Sequence, residues 1–177
     1  MVLAGLLLAA CLGCGDDGRT GEEFAVYHLE AALGPPGETG KLRCGPERTA
    51  CPGVVAQPPP RTFRYAVHAA PAVTSDGIDR STVQRGNDSQ TGAPFVTVAL
   101  TPEGREGFAR VTRTAARTGA RDQGWHHVAV VVGDEIVAFP EVDFDAYPDG
   151  IPDAPGIQIA ATSDADAREL VRRLRGE

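Results

Sequence analysis

Apolar and polar residues alternate most clearly in the second half of the chain. The stretch 95–100, F-V-T-V-A-L, puts Val96, Val98 and Leu100 on one face, the two-residue period of a half-buried strand. The period then changes. Thr101 offers a capping hydroxyl, Pro102 suits the first helical position, and Glu103 complements the N-terminal dipole. Phe108, Val111, Thr112 and Ala115 recur at i, i+3, i+4 and i+7, which predicts a helix with one core-facing stripe, ended by Gly119 and Gly124. Residues 127–132 read as a strongly apolar strand, Gly133-Asp134 as a tight turn, and 135–139 as the returning strand of a hairpin that Pro140 stops. A long acidic loop, 143–156, leads to a last strand at 156–160. Ser163, with Asp166 three residues later, predicts a capped helix. Its apolar face carries Ala167, Leu170, Val171 and Leu174, and its last turn gathers Arg172, Arg173 and Arg175.

The first half is less regular. Residues 24–30 and 63–69 each alternate over a short strand, and 74–77 (T-S-D-G) reads as a turn. Between the two strands, 31–61 is rich in Gly and Pro and contains Pro58-Pro59-Pro60, an extended boundary. Residues 78–84 fit either a helical turn or a short strand, and 87–94 reads as a polar loop. From residue 95 onward the order is β-α-β-β-β-α. That order predicts an α+β fold, an antiparallel or mixed sheet covered by two helices. No internal repeat is evident.

Composition adds boundaries to this picture. A chain of 177 residues makes one domain with an appendage. Aromatics are 6% of the residues, so the core must be built mainly from Val, Ala, Ile and Leu. A net charge of -7 supplies no basic face, and nucleic acid is therefore not expected as a partner. The first ten residues are all apolar or small. That run falls short of the roughly 20 residues a membrane span requires, but it fits a secretory signal. Leu8-Ala9-Ala10-Cys11 resembles the lipobox of bacterial lipoproteins, in which the cysteine is acylated after cleavage; Cys14 is the second candidate. No Lys or Arg precedes the run, and a buried N-terminal helix or strand is the alternative. Cys44 and Cys51 bracket a short loop and are expected to form a disulfide in an exported protein; Cys11 and Cys14 would pair if neither is acylated. The expected organisation is a signal peptide at 1–10, a tether at 11–23, a Pro/Gly-rich segment at 24–62 and an α+β domain at 63–177.

The candidate chemistry is sparse. His126 and His127 are adjacent on a strand and point to opposite faces, so they do not chelate together. His28 and His68 have no acidic or Cys neighbour at ligand spacing. Asp143, Asp145, Asp149 and Asp153 charge the long loop without the alternating pattern of an EF-hand. Neither a nucleophile elbow nor a phosphate loop occurs, and the expectation is no metal, no cofactor and no enzymatic activity. Trp125, Phe139, Phe144 and Tyr147 lie in or near the later loop; exposed, they would engage apolar side chains of a polypeptide, and otherwise they pack beneath the loop.

From about residue 64 to 176 the chain resembles the head of the first extracytoplasmic domain of SecD, a membrane subunit that assists the Sec translocase. The resemblance rests on ordered blocks. V-T-V-A-L-T-P-E-G at 96–104, followed by Phe108 and Thr112, is similar to the family's strand-then-helix signature. Residues 128–132, G-D-E-I-V at 133–137 and Phe139-Pro140 resemble its hairpin. Asp143-Phe144 and Y-P-D-G-I at 147–151 resemble a loop of some members, and G-I-Q-I at 156–159 with the helix 163–175 resembles the closing strand and helix. Ala160-Ala161 stand where the family usually has Thr-Gly. The sequence reaches Glu177 where the family would continue toward its transmembrane helices, so proton-coupled translocation is not carried over. The resemblance implies an extracytoplasmic setting and contact with unfolded polypeptide clients or Sec translocase components. The combined expectation is a non-enzymatic lipoprotein anchored at the outer membrane face through Cys11. The alternative is a structural or envelope-interaction lipoprotein that reuses the fold.

Overall fold

The computed structural model describes residues 21–34, 53–56, 64–68, 70–122, 126–133 and 135–177. Cys11, Cys14, Cys44, Cys51 and Trp125 lie outside the described residues. The strands are β1 (Phe24–Gly34), β2 (Gly53–Ala56), β3 (Arg64–Val67), β4 (Ile78–Asn87), β5 (Pro94–Leu100), β6 (Val128–Val132), β7 (Glu135–Ala138) and β8 (Gly156–Ala160). The helices are α1 (Pro102–Asp122) and α2 (Asp164–Arg175), with a single 3-10 turn at Ser75–Gly77.

The strands divide into two sheets. In the order β1-β3-β2-β7-β6 five of them close into a small barrel, with β2 and β7 parallel and the other pairs antiparallel. The remaining three form an antiparallel sheet in the order β4-β5-β8. The α+β class, the mixed strand pairing and the two helices agree with the sequence pattern. The split into two sheets does not follow from that pattern, because strand order is set by long-range pairing.

Alternation explains how the two sheets share one core. Strands β1 and β6 pair with Phe24 opposite Val132, Val26 opposite Val130 and His28 opposite Val128. Phe24, Val26, Val128, Val130 and Val132 face outward from the barrel and join the main core. There they meet Val96, Val98, Ile157 and Ile159 of the three-stranded sheet, Phe108, Val111 and Ala115 of α1, and Ala167, Leu170 and Leu174 of α2. The intervening residues Ala25, Leu29, Ala129 and Val131 face inward, where they pack with Val67 and Ile136. All five residues of β6 are consequently buried. A run of five apolar residues is what a strand buried on both faces requires.

Several local departures from the pattern have physical causes. Helix α1 runs through Gly119, the first of the two glycines expected to end it, and stops at Asp122, before Gly124. Gly119 serves packing: a Cβ there would come within 2.6 Å of both His126 Cβ and Phe144 Cδ1. The ambiguous stretch 78–84 is strand, and its broken alternation marks a bulge between Asp79 and Gln84. There the Asp79 carboxylate accepts from the Ser81 N–H (3.0 Å) and hydroxyl (2.6 Å), while the Thr82 hydroxyl donates to Asp79 O (2.6 Å). Strand β2 falls inside the Gly/Pro-rich segment and is four residues long, too short to show a period. At α2, Ser163 Oγ accepts from the Asp166 N–H as the sequence predicts, but the Asp166 carboxylate accepts from Thr162 N–H and hydroxyl, one residue before the cap.

The C-terminal turn of α2 ties the two sheets together. Arg173 donates to Glu22 (2.8 and 3.0 Å), to Glu135 (2.9 Å) and to the carbonyl of Val132 (2.9 Å), all on the barrel side. Hydrogen bonds from Arg173 hold the Glu22 carboxyl below its ordinary range. Arg175 donates twice to Val83 O on β4 (2.7 and 3.1 Å), and Arg80 of β4 donates back to the carbonyl of Leu174.

The barrel interior carries a clear expectation. Ile136 is 0% exposed and packs inside it. Ile136→Ala is expected to lower the unfolding free energy by about 2–5 kcal/mol in urea titrations. A loss below about 1 kcal/mol would mean that the barrel interior is not packed like a core.

Candidate functional site

The aromatic side chains singled out in the sequence do not form one surface. Phe139 meets Tyr65 in a tilted contact, ring centres 4.7 Å apart, and packs against the barrel core. Phe144 meets His126 edge-on at 5.2 Å and packs against the main core. Tyr147 is 45% exposed. Trp125 lies outside the described residues.

Around Phe144 lies an open groove of ≈ 670 Å³, lined among the described residues by His126, Glu141, Val142, Asp143, Phe144 and Asp145. Its chemistry is mostly acidic. His126 Nε2 and Glu141 Oε1 are 2.6 Å apart, and that hydrogen bond with the charge of His126 holds the Glu141 carboxyl low. Burial keeps the neighbouring His127 below the usual imidazole range, assisted by His126 and opposed by Glu141. Of the loop aspartates, Asp143 acts as a turn former: its carboxylate accepts from the N–H groups of Asp145 (3.1 Å) and Ala146 (3.0 Å). Among the described residues no group of three or more His, Cys, Asp or Glu is placed to hold a metal ion.

Helix α1 fixes this loop from below. Gly150 adopts φ 83° and lies so close to α1 that a Cβ would stand 2.5 Å from Arg113 N. Arg113 Nε donates to Asp149 O at 3.0 Å. Thr112, fully buried, donates its hydroxyl to Phe108 O (2.9 Å) and accepts from the Ile151 N–H (2.9 Å).

A second surface was not visible in the sequence. The ladder between β5 and β8 pairs Val96 with Ile159 and Val98 with Ile157. It continues at both ends, where Ala161 N–H donates to Pro94 O and Leu100 N–H to Pro155 O. In an antiparallel pair the alternate residues turn their N–H and C=O groups away from the partner. Gly156, Gln158 and Ala160 therefore direct theirs to the free side of β8, and Gln158 and Ala160 are exposed. Among the described residues none bonds to these groups. A groove of ≈ 340 Å³ adjoins this edge on the outer sheet face, lined by Thr82, Gln84, Thr97, Val98, Ala99, Pro155, Gly156, Ile157 and Gln158. None of those side chains is charged. The opposite edge is different. On β4 the bulge disrupts pairing and Arg175 occupies the carbonyl of Val83. Bulges and charged side chains are the usual protection of an edge strand, and β8 has neither. The available sequence signal was G-I-Q-I-A, a terminal strand without a single charge.

Thr112 offers a test of how the loop is held. Thr112→Val keeps the shape but leaves the Ile151 N–H without its acceptor, and the expected loss is about 1–3 kcal/mol in thermal or urea unfolding. Faster amide exchange at Ile151 in the variant would report the freed loop; unchanged exchange and stability would show that Thr112 does not anchor it.

Comparison with known proteins places this geometry. The family model of the SecDF P1 head subdomain matches residues 54–176, from β2 to the end of α2. Strand β1 precedes the matched region and completes the barrel. Among solved structures, a membrane component SecDF that enhances protein export is similar at 18% identity and a TM-score of 0.54. The likeness covers 88% of this chain and 63% of that one. SecDF in a super-membrane-facing form is similar at 19% identity and a TM-score of 0.53, over 88% of this chain and 19% of that chain. This chain thus spans less than two thirds of the length of either. No curated protein sequence matches it. A match over more than half of the chain, running through the same strand, helix and hairpin blocks that the structure assembles, shows that the chain belongs to the SecDF P1 head subdomain family.

Proposed function

We propose that this domain is a non-enzymatic, extracytoplasmic module of protein export that holds extended polypeptide along the free edge of β8. Membership in a SecDF head family supports a role related to protein export. The observation that carries the reading is the row of outward-facing backbone groups on Gly156, Gln158 and Ala160, to which no described residue bonds, beside an uncharged groove on the sheet face. Strand addition suits clients of varied sequence, because main-chain hydrogen bonds supply the affinity and side-chain pockets only tune it. Thr82, Gln84, Thr97 and Gln158 place no charge against the client and therefore reject neither sign. Among the described aromatics, Tyr147 is the large exposed ring available to a client's apolar side chain. Phe139 and Phe144 pack against the barrel core and the main core and are not offered to a client. The Sec translocase is the assembly in which such a module would act. Cys11 would anchor the chain on the outer membrane face, with Cys14 as the alternate residue, and Cys44 with Cys51 would close a disulfide loop.

Binding of a labelled, permanently unfolded peptide to the full chain, followed by fluorescence anisotropy, tests the edge. Gln158→Pro removes one outward N–H without touching the β5 ladder, a position where an edge strand tolerates proline. It is expected to weaken binding roughly tenfold, the worth of one hydrogen bond and its steric fit. Equal affinity of the variant and the parent would remove β8 from the role. The anchor has its own measurement: in cells given a labelled fatty acid, the label should appear on the chain and vanish in Cys11→Ser. A chain that carries no label on Cys11 or Cys14 would not be lipid-anchored.

A further inference from the structure

On the far side of α1 from these surfaces lies a smaller pocket, of ≈ 290 Å³. It is lined by His28 of β1, by His68, Ala70, Pro71 and Ala72 of the segment after β3, and by Arg110, Val111 and Thr114 of α1. Three cationic or potentially cationic side chains meet there, and no Asp or Glu is among the described residues that line it. The ring of His28 sits on the face of β1 that turns toward α1, and its Nε2 is buried without a hydrogen-bond partner among the described residues. An unpaired buried polar atom in a folded protein needs an explanation, and a bound group is one. The Nδ1 of His68 lies 3.3 Å from the Ala70 N and 3.2 Å from the Ala70 carbonyl oxygen, so the tautomer of the neutral ring is not fixed by its partners, while the protonated ring donates from both nitrogens. Arg110 is exposed and carries a guanidinium that no described carboxylate pairs in a salt bridge. Thr114 donates its hydroxyl to Arg110 O at 3.1 Å and so offers the pocket no free donor.

We propose that this pocket is an oxyanion site, which takes a carboxylate or a phosphate group between His28, His68 and Arg110. A planar guanidinium and two imidazoles, which donate from both nitrogens when protonated, match the oxygens of either group. The charges that bear on His28 are Glu30 on its own strand and His68 from the segment after β3; Arg110 of α1 lines the same pocket, and His127, just before β6, accepts from the Leu29 N–H through its backbone carbonyl (3.3 Å). Burial holds the empty His28 below the usual imidazole range, with Glu30 opposing and His68 assisting. A bound anion favours the imidazolium, so binding tightens as pH falls and the His28 pKa rises when the site fills. The inference is independent of the β8 reading, since no residue is shared.

The test follows the ring signals of His28 and His68 by NMR in the full chain, titrated with inorganic phosphate, with acetate, and with chloride at matched ionic strength. Saturable shifts with phosphate or acetate, absent with chloride, support the site, and whichever anion saturates at the lower concentration identifies the class. Acetate, which stays ionised across this range, should bind several-fold tighter near about pH 6 than near about pH 7.5, across the imidazole range. Arg110→Gln, an exposed change that leaves the fold intact, should weaken binding roughly tenfold, the effect of one charge-assisted hydrogen bond. His28→Gln should remove most of the pH dependence. Shifts that chloride reproduces, that never saturate, or that persist unchanged in Arg110→Gln would overturn the proposal.

Discussion

Strand β6 is the constraint on which the rest of the molecule depends. Its five residues are walled in on both sides, with Val128, Val130 and Val132 in the main core and Ala129 and Val131 in the barrel. A one-residue slip of a strand exchanges its two faces. Here such a slip would put valines where the barrel holds Ala129 and alanine where the main core needs bulk. The register with β1 is therefore fixed by volume, and both cores inherit it. Because β1 and β6 form a common wall, the barrel and the three-stranded sheet pack against opposite faces of the same two strands.

What the wall joins from within, the last turn of α2 joins from outside. Arg173 reaches the barrel and Arg175 reaches β4, so one helical turn holds both sheets at their rims. These are hydrogen bonds to backbone carbonyls and a half-buried carboxylate, where a guanidinium fork is more effective than a lysine would be. The residue that ties α2 to β4 also blocks an edge: Arg175 takes the carbonyl through which β4 would otherwise pair. Stability and protection are served by one side chain.

The elements that were legible in the sequence are those whose signal is local. Val96, Val98 and Leu100 showed β5 by their period, Thr101 to Glu103 marked the start of α1, and Ser163 capped α2 as its position predicts. Gly119 misled because its lack of a side chain reads as a helix stop, when its use is to admit His126 and Phe144 against the helix. The interrupted alternation of 78–84 concealed a strand because a bulge breaks the period without ending the pairing. The aromatic loop was visible as composition, but whether a ring is buried depends on what lies beneath it. Phe139 found Tyr65 some seventy residues away, and Tyr147 found solvent. Least legible were the free edge of β8 and the pocket under His28. Both exist only once distant strands have been ordered.

The contrast between the two rims of the small sheet has a consequence for stoichiometry. A sheet with two open edges can be extended on both sides, and each added strand presents a new place to add another. This sheet has one guarded rim and one open rim. It is a terminator of strand addition, not a link in a chain of it. An extended segment that docks on β8 completes the sheet. Two copies that met by this rim would consume each other's open edge and stop at two. Exposed main-chain hydrogen-bonding capacity, ordinarily a route to fibres, is here limited to a single partner at a time.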